Sequence, residues 1–219
     1  VSMLTRIVLT NFKCLTMADL ELKPLTLLTG ANSSGKSSVI QAILMSIAYT
    51  NQGAYYFRAV LRPYGLQNFM ELLTQDASEK RITLSLWDDA YFNAVQLLRG
   101  ERGEVDVQVV DASISREFEK NLYYLSANRI GAQITANIDE DLTIGVDGSA
   151  ILGSFDRLKE FPIHEALKHC DASPKLSAQV AYWLSDITDS RIEAQTEQIG
   201  STNQVRSFFK VHDRLEGGL

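Results

Sequence analysis

Apolar and polar positions change their period along this chain, and the changes mark its elements. Residues 3–9 (Met-Leu-Thr-Arg-Ile-Val-Leu) and 19–23 (Asp-Leu-Glu-Leu-Lys) read as strands, the second with apolar residues at alternate positions. Asn11-Phe12-Lys13 falls between them, where a turn is expected. Pro24 then opens a short apolar run, Leu25-Thr26-Leu27-Leu28-Thr29, which the pattern predicts as a buried strand. Over 39–48 (Val-Ile-Gln-Ala-Ile-Leu-Met-Ser-Ile-Ala) the apolar side chains lie almost all round a helix predicted for 37–49. A helix buried beside a sheet has that composition. The polar and aromatic stretch Tyr49–Arg58 reads as the end of this helix and a loop, with Gly53 as its stop.

The period becomes two from residue 81. Ile82, Leu84 and Leu86 alternate with polar neighbours, 91–98 reads as a second strand, Gly100-Glu101-Arg102-Gly103 makes a turn, and Val105, Val107 and Val109 alternate again. The expectation is an antiparallel meander. Residues 121–126 (Asn-Leu-Tyr-Tyr-Leu-Ser) are expected as another strand, followed by a polar loop region that includes Asp139-Glu140-Asp141. Ser173-Pro174 predicts a helix start, an N-cap followed by proline at the first position. Leu176, Val180, Trp183, Leu184 and Ile187 would then share one apolar face. Strands return at 191–196 and at Val205, Ser207, Phe209 and Val211. The whole reads as α/β with an antiparallel patch.

Composition narrows the classes. At 219 residues and 45% hydrophobic, the chain can bury the core of one domain, or of a domain with a subdomain. The formal net charge of −6 argues against a surface coated in nucleic acid and leaves open a local basic groove. The longest apolar run, within 39–48, is too short for a membrane span, and Val1–Ile7, lacking a basic region before an apolar stretch, is not expected to be a signal peptide. Cys14 and Cys170 are expected as reduced thiols of a cytoplasmic protein.

The candidate chemistry sits between the predicted strand at 25–29 and the helix from 37. Gly30-Ala31-Asn32-Ser33-Ser34-Gly35-Lys36-Ser37 fits G-x-x-x-x-G-K-[ST], with Ser38 following. Gly30 and Gly35 let successive N–H groups curl inward on an anion with no Cβ in the way. The helix adds its N-terminal partial positive charge. Lys36 brings a compact cation to the β- and γ-phosphates and is the candidate catalytic residue, while the Ser37 hydroxyl can ligate Mg²⁺. The strand before and the helix after are the context this motif requires, so these residues are expected to bind ATP and Mg²⁺.

In this order, a first strand ending in Asn-Phe-Lys, a second strand, and then LTLLTGANSSGKSSVIQAIL, the chain resembles the N-terminal half of the SMC/RecF/OLD-type ATPases. These are ABC-class P-loop ATPases of the AAA-ATPase-like group, found in DNA repair and anti-phage defence. The later LYYLSANRIG is similar to the piece that follows their antiparallel subdomain. The resemblance implies a P-loop NTPase three-layer α/β core with an antiparallel β-subdomain and a helical lobe. Along this chain that means a phosphate-loop core at 1–50, a β-subdomain at about 80–126, and helical lobe and strands at about 150–215. It also implies ATP held between two heads of a homodimer or head-to-head assembly, with DNA or an effector protein as partner and no membrane. By the same resemblance Gly30 through Ser38 contact the nucleotide phosphates, and Asn11 and Lys13 lie near its base. Gln133 stands near the place of the family's glutamine loop, although its flanks do not fit, so a plain loop glutamine stays open.

The departures carry weight too. The family's signature motif and its Walker B strand ending in Asp-Glu are expected C-terminal to residue 219, which makes a fragment or one half of a split ATPase the expectation. Ile82–Asp89 ends in two acids, yet its alternation is that of an antiparallel strand. Binding is therefore expected with weak hydrolysis. A P-loop small-molecule kinase would need a cluster of lid arginines, where only Arg58 and Arg62 stand. A non-hydrolysing, nucleotide-gated assembly module is the remaining alternative. His164 and His169 are five apart and miss the spacing of two ligands on one helical face; with His212 they read as ordinary histidines. Asp139-Glu140-Asp141 reads as a solvated acidic loop and Arg129 as a surface arginine, with a trans phosphate contact for Arg129 as the sharper option.

Overall fold

The computed structural model describes residues 2–51, 64–130, 133–169, 171 and 173–212. Gly53, Tyr55–Arg58, Arg62 and Cys170 lie outside the described residues. The chain divides into two units, Val1–Phe118 and Glu119–Leu219.

The first unit is built on a five-stranded sheet in which every neighbouring pair is antiparallel. Its strands are β1 (Leu4–Phe12), β2 (Leu15–Glu21), β3 (Ile82–Asp88), β4 (Phe92–Arg99) and β5 (Val105–Ala112), in the order β2-β1-β3-β4-β5. The meander expected from residue 81 is present, and it continues the same sheet as the first two strands. Register puts Ile7 opposite Leu86, Leu9 opposite Leu84, and Val95 opposite Leu84 on the next strand, so one face is apolar throughout. Helix α1 (Lys36–Thr50) covers that face with Val39, Leu44, Met45 and Ile47, all buried. Each such side chain taken fully from water contributes about 1.5–3 kcal/mol. Buried Asn93 pins the far end of α1: its amide donates to Thr50 Oγ1 at 2.7 Å and its carbonyl oxygen accepts from the Ile114 N–H at 2.8 Å. A one-turn helix, α2 (Phe69–Leu72), is capped by Asn68 and drops Phe69 and Leu72 into the core beside Phe12.

Two expectations need correction here. The second strand starts at Leu15, so the turn falls on Lys13-Cys14 and Asn11-Phe12 still belong to β1. Residues 25–29 form no strand, and Leu25 and Leu27 are 88% and 81% exposed. A buried strand requires a hydrogen-bonding neighbour and apolar cover, and none of the described residues supplies either to this run. No parallel strand pair occurs among the described residues.

The second unit holds a three-stranded antiparallel sheet, β6 (Thr135–Asn137), β7 (Arg191–Gln198) and β8 (Gln204–His212), in the order β6-β8-β7. Its helices are α3 (Ile151–Leu158) and α4 (Leu176–Thr188). The strands at 191–196 and 205–211 are as expected; the one at 121–126 is absent. Ser126 and Ile130 instead donate to Val146 O and Asp147 O as a loop. Helix α4 begins at Leu176 rather than at Ser173-Pro174, because the chain before it is held extended. Pro174 O accepts from Ile163 N–H, and Leu176 N–H donates to Phe161 O. The apolar face expected on α4 is not buried either. Trp183 and Ile187 are 48% and 76% exposed, and the one buried side chain of the helix is Gln179. The side of α4 that meets β7 carries small residues, with Ser185 Oγ accepting from the edge amide of Ile192 at 3.2 Å.

Candidate phosphate-loop site

Residues 30–38 lie in the first unit, where the chain leaves the exposed 25–29 run and enters α1. Gly30 has φ +147° and Gly35 φ +93°, both in the region that side chains rarely adopt. A Cβ would also be crowded: on residue 30 it would sit 2.8 Å from Ser34 Oγ, and on residue 35 2.9 Å from Leu15 Cδ2, so those side-chain ends would have to shift. Between them Ser33 also has positive φ, +63°, a strained state for a serine. Ala31 through Ser34 are exposed, whereas Gly35 and Ser38 are buried and Ser37 is exposed at the first turn of α1. The helix has no side-chain N-cap and no acid in its first turn, so its N-terminal N–H groups and partial positive charge stay uncompensated by the protein.

The Lys36 ammonium donates to Gly30 O at 2.8 Å and Ala31 O at 2.6 Å. It lies across the loop on neutral carbonyls, and no acid among the described residues forms an ion pair with it. An anion that enters the loop can replace these neutral acceptors with charged ones, which make the stronger hydrogen bonds. The donor set fits phosphate: curled backbone, a helix N-terminus, a lysine and a hydroxyl. For a divalent ion the protein offers the Ser37 hydroxyl. Among the described residues no group of three or more His, Cys, Asp or Glu side chains could hold a metal.

The floor of the site comes from the β1–β2 hairpin. Asn11 and Lys13 are both left-handed, φ +57° and +53°, on either side of fully buried Phe12. The hairpin is tied to the chain after α2: Lys13 N–H donates to Leu72 O at 2.6 Å, and Asn11 O accepts from Thr74 N–H at 3.1 Å. The Asn11 side-chain amide donates to Arg81 O. Lys13 Nζ donates to Gln41 Oε1 of α1 at 2.7 Å, and burial pulls its pKa below the usual lysine value against the pull of Cys14 and Glu71. Sequence reasoning singled out Asn11 and Lys13 but missed Leu15, Gln41 and the 72–74 clasp. Two non-glycine residues forced to positive φ around one phenylalanine have no sequence signature.

The other candidates sort into structural roles. Asp88 is buried in an antiparallel strand. It accepts from Ser2 Oγ (2.7 Å) and from the N–H groups of Ala90 and Tyr91, and pairs with Arg116 at 3.3 Å. Burial alone would raise its pKa, but these donors outweigh it and hold the carboxylate below the ordinary range. Arg129 and Gln133 belong to the second unit; Arg129 is exposed, and Gln133 is half-buried with its carbonyl accepting from Ser207 Oγ. Asp139 Oδ1 caps its own loop by accepting from Asp141 and Leu142 N–H. His164 caps a short 3₁₀ turn, Glu165–Leu167, and His169 bonds Asp186 and meets the Trp183 ring edge-on at 4.6 Å. His212 ends β8. The cleft between α4 and β7 encloses about 1040 Å³, yet its cations are paired: Lys159 with Asp156 and Arg191 with Glu193. That cleft has no phosphate cradle.

No curated protein sequence matches this chain. A family model described as AAA ATPase domain matches residues 3–143, more than half of the chain and the whole of the loop with its hairpin and helix. No helix among the described residues is long and apolar enough to cross a membrane. The chain belongs to the AAA ATPase domain family of nucleotide-binding ATPases.

Proposed function

We propose that this chain is the ATP-binding head of an SMC/RecF-like ATPase. In this reading Gly30, Ala31, Asn32, Ser33, Ser34, Gly35, Lys36, Ser37 and Ser38 hold the nucleotide. The observation that supports it most is the Lys36 ammonium, lying on the carbonyls of Gly30 and Ala31 beside a helix N-terminus with no acid to neutralise it. An entering triphosphate exchanges those two neutral acceptors for charged oxygens, and the loop amides bind the same anion. Ser37 would hold Mg²⁺, which supplies charge neutralisation between the phosphates.

Hydrolysis needs more than this. Positioning of the γ-phosphate and a water requires a further polar residue beside the loop, in this reading a carboxylate. Asp88 is committed to Ser2, Arg116 and two backbone amides. The proposal is therefore that the chain binds Mg-ATP and turns it over slowly. The Asp-Glu strand and the signature motif would come from elsewhere in the assembly, in a dimer of heads with a parallel three-layer core and a helical lobe. Exposed Leu25 and Leu27, directly before the loop, support a missing strand neighbour. A role in DNA repair or anti-phage defence, with DNA or an effector protein as partner in the cytoplasm, follows from the same resemblance. A non-hydrolysing assembly module shares the binding step and differs only in lacking turnover.

The test is Mg-ATP binding and phosphate release by the chain and by Lys36→Ala. Losing charged hydrogen bonds of about 1.5–3 kcal/mol predicts a roughly 10- to 100-fold weaker affinity in the variant. Equal affinity of the two proteins would overturn the assignment of the loop. Turnover by the wild type alone, at the rate of a complete ATPase, would place a catalytic carboxylate within these residues.

A further inference from the structure

We infer that Leu15 is a positioning residue of the phosphate loop: with Cys14 it forms the floor that holds Gly35 in its left-handed conformation and so fixes where the loop amides point. The inference rests on the phosphate-binding reading of residues 30–38. Three atoms crowd the place where a Cβ on residue 35 would stand: Leu15 Cδ2 at 2.9 Å, Cys14 Sγ at 3.1 Å and Leu15 Cγ at 3.2 Å. Gly35 is the buried residue of an otherwise exposed loop, and its carbonyl accepts the first helical bond, from Val39 N–H at 3.0 Å. The rotation at Gly35 thus sets the direction of the loop before it and the start of the helix after it.

The floor is itself anchored. Leu15 pairs with Phe12 across the hairpin, Phe12 bridges to Leu73, and Leu15 O accepts from Thr74 Oγ1 at 3.3 Å. Lys13, from the same turn, grips α1 at Gln41. The hairpin therefore fixes the start of α1 at two points, once at Gly35 by packing and once a turn and a half further on by a hydrogen bond. The Gly30 end has no such packing from outside the loop: a Cβ there would meet only Ser34, and its tie is the Lys36 ammonium on its carbonyl. A loop packed from outside at one end only keeps its anion-facing geometry while the floor stays filled. Emptying it leaves Gly35 free to turn, which scatters the amides without touching any group that contacts phosphate.

The experiment measures affinity for a fluorescent ATP analogue with Mg²⁺ and the thermal midpoint, for wild type, Leu15→Ala, Leu15→Met and Lys36→Ala. Leu15→Ala is expected to weaken binding about 10-fold per folded molecule, and Leu15→Met to return it to within about 3-fold of wild type. A purely structural role would lower the thermal midpoint and leave the affinity of the folded protein unchanged, which would overturn the inference. Wild type and Lys36→Ala binding alike would instead remove the phosphate-binding reading, and the inference with it. The native thiol gives a second measurement that does not depend on a variant at 15. In a Cys170→Ser background, a bulky maleimide on Cys14 is expected to lower affinity about 10-fold, and bound Mg-ATP to slow the alkylation. Full-rate alkylation under saturating nucleotide with no loss of affinity would overturn the floor.

Discussion

In the first unit, Ile7, Leu9, Phe12, Met45, Ile47, Phe69, Leu84 and Leu86 are all fully buried where α1 and α2 pack on the sheet. In the second, the buried apolar side chains among the described residues are Ala136, Ala150 and Val205, while Phe161, Leu167, Trp183, Ile187, Phe209 and Val211 stand largely in solvent. The second unit is held instead by polar pins. Buried Glu119 accepts from three consecutive backbone amides, Thr143, Ile144 and Gly145, between 2.6 and 2.9 Å. Gln179 clasps the backbone at His169 and Ser173, and Asp156 ties Lys159 to Thr196. The difference teaches where a strained loop can be mounted. A strained loop persists only where its surroundings over-determine it, and the dense unit is the one that carries Gly30–Ser38.

The largest expected effect tests whether the dense unit depends on apolar packing alone. Among the described residues it has one buried ion pair, Asp88 with Arg116, whose side chains are 2% and 10% exposed. Asp88→Ala leaves Arg116 in a low-dielectric site without its partner and is expected to cost about 3–5 kcal/mol in urea unfolding. The pH dependence follows from the depressed pKa of Asp88. As pH falls, the unfolded chain takes up the proton first, so the stabilisation is whole above about pH 4, the unfolded carboxylate value, and is lost as pH falls through the lower folded value. The variant should show a shallower acid slope than wild type. Equal slopes would mean that the pair contributes nothing to the frame under the loop.

How much of this was legible beforehand differs between the units for the same physical reason. Where burial is apolar and periodic, the pattern carried it: Ile82, Leu84 and Leu86 face the core as their alternation requires, and α1 runs within a residue of its expected limits. The Gly30–Ser38 stretch stood out because its motif has fixed residue types at fixed spacing. The run 25–29 misled because an apolar alternation states what a segment needs and not whether a neighbour is present. The 176–187 stripe misled in the opposite sense, since α4 is seated by small residues and Gln179, which periodicity counts as the polar face. Glu119, reaching some 24 to 26 residues along the chain to its amides, has no local signal at all.

Glu119→Gln sharpens the comparison from the other side. The amide keeps one acceptor oxygen and turns an NH₂ toward donors, so at least one of the three N–H groups loses its partner. The expected cost is about 1–3 kcal/mol, the penalty for an unsatisfied buried group. It should appear as faster hydrogen exchange at 143–145 with no change in the amides of β1 or β3. Exchange that accelerates equally in both units would show that the polar pins serve the whole chain, and the division of labour drawn above would fall.

The smallest effect is the most direct test of the exposed stripe. Ile187 is 76% exposed at the last turn of α4, on the face that the periodicity marks as core. If that face is solvent-exposed in solution, Ile187→Ser removes almost no buried area. Its cost then stays within about 0.5 kcal/mol, the range for surface substitutions away from special features. A loss nearer to 2 kcal/mol would need burial of most of the side chain at about 25 cal/mol per Å². Cover of that kind would have to come from a partner or a second copy, so the cost would rise with protein concentration. The dilution series therefore separates the two cases. A small, concentration-independent effect leaves α4 seated by its contacts within the unit, Gln179 and Ser185 among them, and a large, concentration-dependent one turns the stripe from a misreading of the pattern into an interface.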